Sequence, residues 1–259
     1  DISKSIFTVS RQNEDPIYTL LQGTLPPGEV AVVFLAHNET DMGKERTYCP
    51  PAVTPAMLVD PIIHGTAKTK AFRIKADAPV SAYSIYPYGG ADTHIPTATL
   101  LLPVSSWEQN YIAVTQTWKL SKGQVLQFVQ PALTGSPIET TKPVGLFGGS
   151  ECTFLPSSVE WCDVLHQQIP AVAQWGTEYA VVPFQSRINS LAESTREKVP
   201  YTIVAAADDT TFTYEPSRPR DAPETLKAGE SANFITDEFF VVRSQDAKHP
   251  FHVNVYMTG

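Results

Sequence analysis

The chain has 259 residues, of which 22 are proline and 18% are charged, and its formal net charge is −8. Few charges and many prolines are typical of a globular protein made of strands with rigid turns, and not of a disordered chain or a bundle of long helices. The acidic balance, without a cluster of lysine or arginine, argues against nucleic acid and anionic lipid as main partners, because both need a positive surface.

Two kinds of strand are predicted along the chain. Residues 71–76 and 211–214 alternate apolar with polar side chains, as strands do when one face is buried. Other strands are continuous apolar runs, which are expected to be central or covered on both faces. These runs are 30–36, 111–114, 179–184, 201–207 and 239–242. The only helical pattern is near 190–198, and it is polar enough for a surface loop. No stretch is long and apolar enough to span a membrane.

Turns are predicted where glycine can supply a positive φ between these strands. They lie at Pro26-Pro27-Gly28, Gly89-Gly90, Lys122-Gly123, Gly148-Gly149 and Ala228-Gly229.

Two phrases recur, which points to repeated β-units. Leu-x-x-Gly followed by an acidic or amide residue occurs at 25–29, 120–124 and 226–230. A proline followed by tryptophan and, four residues later, tyrosine occurs at Pro103, Trp107 and Tyr111 and again at Pro170, Trp175 and Tyr179. We predict three repeats.

The predicted fold is therefore all-β and antiparallel, with tandem β-sandwich-like repeats. Blades of a β-propeller are the alternative, although the repeat spacing is longer than a usual blade of about 40 to 50 residues. The predicted modules are 1–96, 97–150 and 173–259, with an insertion at 151–172. They can also pack as one compact body.

Three cysteines are present, Cys49, Cys152 and Cys162. Cys152 and Cys162 enclose a short loop, for which a disulfide is favoured over a redox or metal pair. A disulfide implies an oxidising compartment. Cys49 is then either buried or paired outside this sequence.

No complete catalytic motif is present: there is no His-Glu-x-x-His, no Gly-x-Ser-x-Gly and no phosphate-binding glycine loop. The six histidines are scattered without ligand spacing. Asp163 and His166 form a conceivable acid/base pair that lacks a third orienting group. A secreted carbohydrate-acting hydrolase using Asp163, His166, Asp208 and Asp209 is the enzymatic alternative.

Two further groups are candidates for ligand binding. Asp208 and Asp209 follow a predicted strand and could hold Ca²⁺, or they could accept backbone N–H bonds in a turn. No other cofactor is expected. Tyr83, Tyr86 and Tyr88 lie at a predicted hairpin end and could face a ligand, because tyrosine combines a rigid surface with a polar tip. They could equally pack under the next module.

Several of these phrases together resemble the N-terminal domain of IgGFc-binding protein and its bacterial relatives. The resemblance runs from about Leu25 to the end of the chain. Its segments are 78–83 with 87–90, 98–103 with Trp107 and Tyr111, 142–149 with Cys152, 162–163 with 168–170, 175–179, and 205–213. Residues 46–50 look more like the bacterial members. The resemblance implies a secreted or surface protein of the myxobacterial type. The family name implies binding of immunoglobulin Fc, but no residue pattern here points to that ligand.

The expected function is an extracellular, non-enzymatic module for binding or adhesion, on a bacterial cell surface associated with the outer membrane. The expected partner is a protein or a glycan. Besides the hydrolase, a structural subunit of a filament or sheath that self-assembles by β-strand pairing is an alternative.

Overall fold

The computed structural model describes residues 2–12, 15–36, 49–50, 52–58, 63, 65–86, 97–111, 118–130, 133–155, 162–184 and 196–257. The strands in chain order are β1 (Ile6–Gln12), β2 (Asp15–Leu20), β3 (Ala31–Val33), β4 (Ala67–Lys70), β5 (Tyr83–Tyr86), β6 (Thr97–Leu100), β7 (Glu108–Tyr111), β8 (Gln124–Gln127), β9 (Ile138–Val144), β10 (Leu146–Thr153), β11 (Asp163–Ile169), β12 (Glu178–Val181), β13 (Val199–Ala205), β14 (Thr210–Glu215), β15 (Thr225–Leu226), β16 (Ser231–Thr236), β17 (Phe240–Ser244) and β18 (Phe251–Val255).

The protein is all-β, as predicted. In the described part of the chain, helix is confined to three 3₁₀ turns, at Ile2–Ser5, Val104–Ser106 and Val172–Gln174. No helix among these residues is long and apolar enough to cross a membrane.

The chain divides into two compact units. The first contains Asp1–Thr69, Pro87–Pro96 and Leu126–Val129, and the second contains Lys70–Tyr86, Thr97–Val125 and Gln130–Gly259. The module boundaries expected from the sequence, and the count of three repeats, stay predictions.

The first unit contains a small antiparallel sheet in the order β2-β1-β3. Its apolar centre is aromatic. Phe7 and Phe34 are buried and meet edge to face with ring centroids 5.9 Å apart, and Tyr18 packs against Phe34 at 5.4 Å. Edge-to-face contacts of this kind add to the gain from burying the rings.

The second unit contains a seven-stranded β-sandwich formed by the strands β12 to β18. One sheet has the order β12-β17-β14-β15 and the other has the order β16-β13-β18. Both sheets contribute to one core, in which Tyr201, Ile203, Val242 and Phe251 are almost inaccessible. Two sheets around one core form a sandwich, so the strands β12 to β18 do not form a propeller blade.

The pattern of side chains explains which strands lie where. Every residue of β13 is buried, as expected for the run at 201–207 in a central strand. β14 alternates buried with accessible side chains over most of its length, as the pattern at 211–214 predicted. β17 is also central, between β12 and β14.

Several local predictions were wrong. Residues 71–76 form no strand and all are exposed, including Phe72 and Ile74. The runs at 30–36 and 179–184 supply β3 and β12, which lie at the ends of their sheets. A short apolar run can belong to an edge strand when its exposed residues are also apolar, as with Val30 and Val182.

Gly148-Gly149 was predicted to form a turn and instead lies inside β10. A Cβ atom at Gly149 would come within 2.5 Å of the carbonyl oxygen of Leu165 on β11, so this glycine permits a close approach of two strands. The helical pattern near 190–198 and the turn at Gly89-Gly90 lie mostly or wholly outside the described residues.

Candidate functional site

The tyrosine group predicted as a ligand surface is only partly described. Tyr83 begins β5, and 61% of its surface is exposed. Tyr86 ends the same strand, and Tyr88 lies outside the described residues. Among the described residues Tyr83 is thus an exposed side chain, and whether it faces a ligand or lies under another module stays a prediction.

The hairpin that carries Tyr83 is held through its opposite face. β5 pairs with β6, and Thr99 of β6 accepts a hydrogen bond from the backbone N–H of Gln168 at 2.8 Å. The Gln168 side chain accepts one from the N–H of Leu102 at 2.6 Å. Thr99 and Gln168 are both buried. These bonds fix the hairpin against β11 and determine which face points away.

The other face of the hairpin is apolar and open. Tyr83 lies opposite Leu100, and Ile85 lies opposite Ala98. Tyr83, Ile85 and Leu100 are 61%, 44% and 47% exposed. We call the four residues Tyr83, Ile85, Ala98 and Leu100 the β5–β6 face. None of them is charged, and their alternation places them on one side of the ladder.

A disulfide lies in the neighbouring hairpin. Cys152 and Cys162 are bonded with Cα atoms 5.0 Å apart, which confirms the prediction. They join the ends of β10 and β11, next to a break in the register between Ser150 and Thr153. The bond closes the hairpin on which the β5–β6 hairpin rests.

A 3₁₀ turn with a tryptophan and a tyrosine supports β12. The indole N–H of Trp175 donates to the carbonyl oxygen of Pro170 at 3.0 Å. The Tyr179 hydroxyl accepts from the N–H of Gly176 at 2.8 Å and donates to the carbonyl oxygen of Phe251 at 2.9 Å. We call this arrangement the tyrosine clamp, because it fixes the start of β12 to the start of β18.

A second tyrosine clamp has the same bonds. The Trp107 indole N–H donates to the carbonyl oxygen of Leu102 at 3.3 Å. The Tyr111 hydroxyl donates to the carbonyl oxygen of Val144 at 2.6 Å and accepts from the N–H of Glu108 at 3.3 Å. In this clamp the carbonyl oxygen of Val144 accepts the tyrosine hydroxyl, as that of Phe251 does in the first clamp. The two sequence phrases have one shared geometry.

The Leu-x-x-Gly phrases also share a turn. Gly28, Gly123 and Gly229 all have φ between +74° and +81°. In the later two copies the side chain of the residue after glycine accepts a hydrogen bond from a backbone N–H. The Gln124 side chain accepts from the N–H of Ser121, and the Glu230 carboxylate accepts from the N–H of Lys227, both at 2.9 Å. This explains why an acidic or amide residue follows glycine.

The residues considered for catalysis lie in two places. Asp163 and His166 are both on β11. The His166 ring stacks on Phe147 with centroids 5.4 Å apart, and burial lowers the pKa of His166. Asp208 and Asp209 lie in the turn between β13 and β14. An enzymatic role for any of the four stays a prediction.

The Asp208 carboxylate accepts a hydrogen bond from the N–H of Ala228 at 3.0 Å. Asp209 has φ +54°, and its carbonyl oxygen accepts from the Gln245 side chain at 2.8 Å. Among the described residues, no group of three or more His, Cys, Asp and Glu side chains could hold a metal ion. Ca²⁺ at Asp208 and Asp209 stays a prediction.

Sequence reasoning did not find the ion pairs of Arg243. Its guanidinium lies 3.1 Å from Glu178 and 2.9 Å from Glu215, across three adjacent strands. Hydrogen bonds to Glu178 and then Glu215 raise the pKa of Arg243. Such a set has no local signal, because its members are far apart in sequence and become neighbours only through strand pairing.

Cys49 is a free thiol and is partly buried, and this burial raises its pKa.

The three histidines that the structure describes differ in setting. His252 stacks on Trp175 at 5.5 Å, His249 contacts Asp246 at 2.7 Å, and His166 is the one against Phe147.

A family model described as IgGFc binding protein matches residues 114–259, which is more than half of the chain. The matched residues include the disulfide hairpin, the β-sandwich and one complete tyrosine clamp. No curated protein and no solved structure matches the chain.

Proposed function

Because the chain belongs to the IgGFc-binding protein family, we propose that it is an extracellular, non-enzymatic module that binds a protein partner at a cell surface. The Cys152–Cys162 disulfide supports an oxidising, extracellular location. A bacterial origin and an association with the outer membrane remain part of this proposal.

The observation that carries the proposal is the open β5–β6 face. Adjoining exposed apolar side chains are a feature of surfaces that bind other proteins, and tyrosine is enriched where proteins bind one another. Tyr83, Ile85 and Leu100 provide such a surface. The opposite face is fixed by buried hydrogen bonds, so the surface is presented on a rigid support.

The rigid support favours a binding role because a preorganised surface loses little freedom when a partner docks. β10 and β11 are closed by the disulfide, and β6 lies along β11 through Thr99 and Gln168. Adhesion to another cell or to a matrix protein would use the same face.

The family's description supplies the first protein to test, the Fc fragment of immunoglobulin G. Biolayer interferometry of the chain against immobilised Fc measures this directly. We expect the double substitution Tyr83→Ser and Leu100→Ser to weaken binding at least about tenfold, because it removes two large contact side chains.

Val104→Ser is the matched control. Val104 is 68% exposed but lies on a 3₁₀ turn outside the β5–β6 face. It should leave binding unchanged. Equal losses in both variants would contradict the assignment of the face. Absence of Fc binding by the unmodified chain would remove Fc as the ligand, and a photo-cross-linker at Tyr83 on intact cells would then test for another protein.

A further inference from the structure

The outer edge of β18 is open in the part of the chain that the structure describes. β18 ends the sheet β16-β13-β18, with β13 as its paired neighbour. The N–H of Tyr256 donates to the carbonyl oxygen of Pro200, and the N–H of Ala206 donates to that of Pro250. In an antiparallel ladder these bonds recur at every second residue, so 252 and 254 face β13 while 251, 253 and 255 face outward.

Only the first of the three outward positions has partners among the described residues. Phe251 donates its N–H to Gly176 and accepts from the Tyr179 hydroxyl. Beyond it, Val253 and Val255 present two N–H and two C=O groups at the edge. Exposed edges of this kind are templates for another strand.

The corresponding edge of β10 is occupied. Val144 is held by the Tyr111 clamp as Phe251 is by Tyr179. Leu146 and Gly148 lie two and four residues after Val144, and they pair with Ile169 and Gln167 of β11. The equivalent positions after Phe251 are Val253 and Val255. One clamp geometry therefore leads to a covered edge in β10 and to an edge in β18 that has no partner strand in the described part of the chain.

The β18 edge lacks the features that usually prevent pairing. The segment 251–257 contains no charged residue and no proline, whereas natural edge strands commonly carry one or the other. By contrast, the edge strand β12 carries Glu178. Val255 is 39% exposed although it shares a strand face with the core residue Phe251 and with Val253, which packs against the core. An added strand would cover this apolar end of the core.

We propose that β18 pairs with β18 of a second copy of this chain, antiparallel and about a two-fold axis at Asn254. This register places Val253 opposite Val255 of the second copy, and the two valine pairs exchange four backbone hydrogen bonds. Asn254 lies opposite itself, and no like charges meet. Two three-stranded sheets become one six-stranded sheet, in the isologous manner common to homodimers.

Sedimentation velocity of the chain in a Cys49→Ser background tests the proposal without interference from an intermolecular disulfide. We expect a monomer–dimer equilibrium over a series from about 1 to about 500 μM. Val255→Pro removes an outward N–H and should weaken the dimer at least about tenfold. Val255→Thr keeps that N–H and a β-branched side chain, and should dimerise like the parent chain.

The register has its own test, which also applies if Val255→Pro impairs folding. Asn254→Lys alone and Asn254→Asp alone place like charges opposite each other and should weaken the dimer, whereas an equal mixture of the two should restore it. A chain that is monomeric throughout the series overturns the proposal. A dimer that resists all three substitutions, or a mixture that shows no rescue, overturns it too. A monomer that binds a peptide of residues 163–175 would assign the edge to a β11-like strand of another chain instead.

Discussion

Tyr179 donates its hydroxyl hydrogen to the carbonyl oxygen of Phe251 at 2.9 Å, although the two residues are 72 positions apart. The same hydroxyl accepts the N–H of Gly176 at 2.8 Å. One side chain therefore satisfies two backbone groups at the junction of the two sandwich sheets. The Tyr111 hydroxyl does the same for Val144 and Glu108.

Replacing Tyr179 by Phe should lower the free energy of unfolding by about 1 to 3 kcal/mol, because it leaves two partly buried backbone groups without a partner. Urea denaturation followed by fluorescence measures the change. Tyr83→Phe is the control, since the Tyr83 side chain is exposed, and it should stay within about 0.5 kcal/mol of the parent chain. A similar loss in both variants would show that the clamp has no special role.

Tyr201→Phe should have the opposite effect. The Tyr201 hydroxyl is the one buried side-chain polar atom among the described residues that has no hydrogen-bond partner. Removing it should raise the free energy of unfolding by about 1 kcal/mol, because the folded state no longer bears the cost of burying an unpaired hydroxyl. A loss of stability would indicate that the hydroxyl is bonded in solution.

The same residue predicts behaviour in alkali. Burial raises the pKa of Tyr201 to about 12 from its ordinary value of 10. Between pH 10 and about 12 the unfolded chain ionises at Tyr201 while the folded state does not. Ionisation therefore favours the unfolded chain, and the free energy of unfolding should fall as the pH rises above 10. The melting temperature of the Tyr201→Phe variant should fall less with pH in that range than the melting temperature of the parent chain. An equal fall in both proteins would show that other groups cause it.

Acid should destabilise the protein through His252. Burial lowers the pKa of His252 below its ordinary value of 6.5, against a smaller opposing effect of its hydrogen bond to Asn254. The unfolded chain then binds a proton more readily, so the free energy of unfolding should fall as the pH drops below 6.5. His252→Gln should reduce this slope, measured by denaturation at several pH values. A variant with the same slope as the parent chain would exclude His252 as the cause.

The Cys152–Cys162 disulfide should stabilise the protein measurably. With a separation of 10 residues, the small loop predicts a gain of about 2 to 3 kcal/mol from restricting the unfolded chain. Denaturation of the double variant Cys152→Ala and Cys162→Ala measures it. Cys49→Ser should have little effect, because Cys49 forms no disulfide. Equal stability of the double variant and the parent chain would contradict the expectation.

Trp175→Ala tests whether the clamp tryptophan serves the fold. Its indole is bonded to Pro170 and stacked on His252. Truncation should cost about 3 kcal/mol, at the low end for tryptophan because the ring is only partly buried. Trp107→Ala should behave alike, since that indole packs against the backbone of Gly145. A cost near zero would move the tryptophan to a binding surface.

Local patterns predicted much of the secondary structure. The turns at Gly28, Gly123 and Gly229 follow from glycine's access to positive φ, and all three have it. The alternation at 211–214 predicted β14, and the spacing of Cys152 and Cys162 predicted their bond. These features depend on neighbours within a few residues, so the sequence contains what is needed to find them.

The same local patterns failed where the outcome depends on distant partners. Residues 71–76 alternate as β14 does, yet they form no strand in the described structure, because alternation describes a face without supplying a paired neighbour. Gly148-Gly149 has the composition of a turn and lies within β10, because the approach of Leu165 requires a residue without a side chain.

The sequence alone determined that this protein is all-β, that turns lie at Gly28, Gly123 and Gly229, and which two cysteines pair, since each depends on local stereochemistry or short spacing. The tertiary structure decided that Tyr83 is open to solvent, that Tyr179 reaches Phe251 and that the β18 edge has no partner among the described strands. These are properties of strand order and register, which are settled by burying apolar faces from distant parts of the chain.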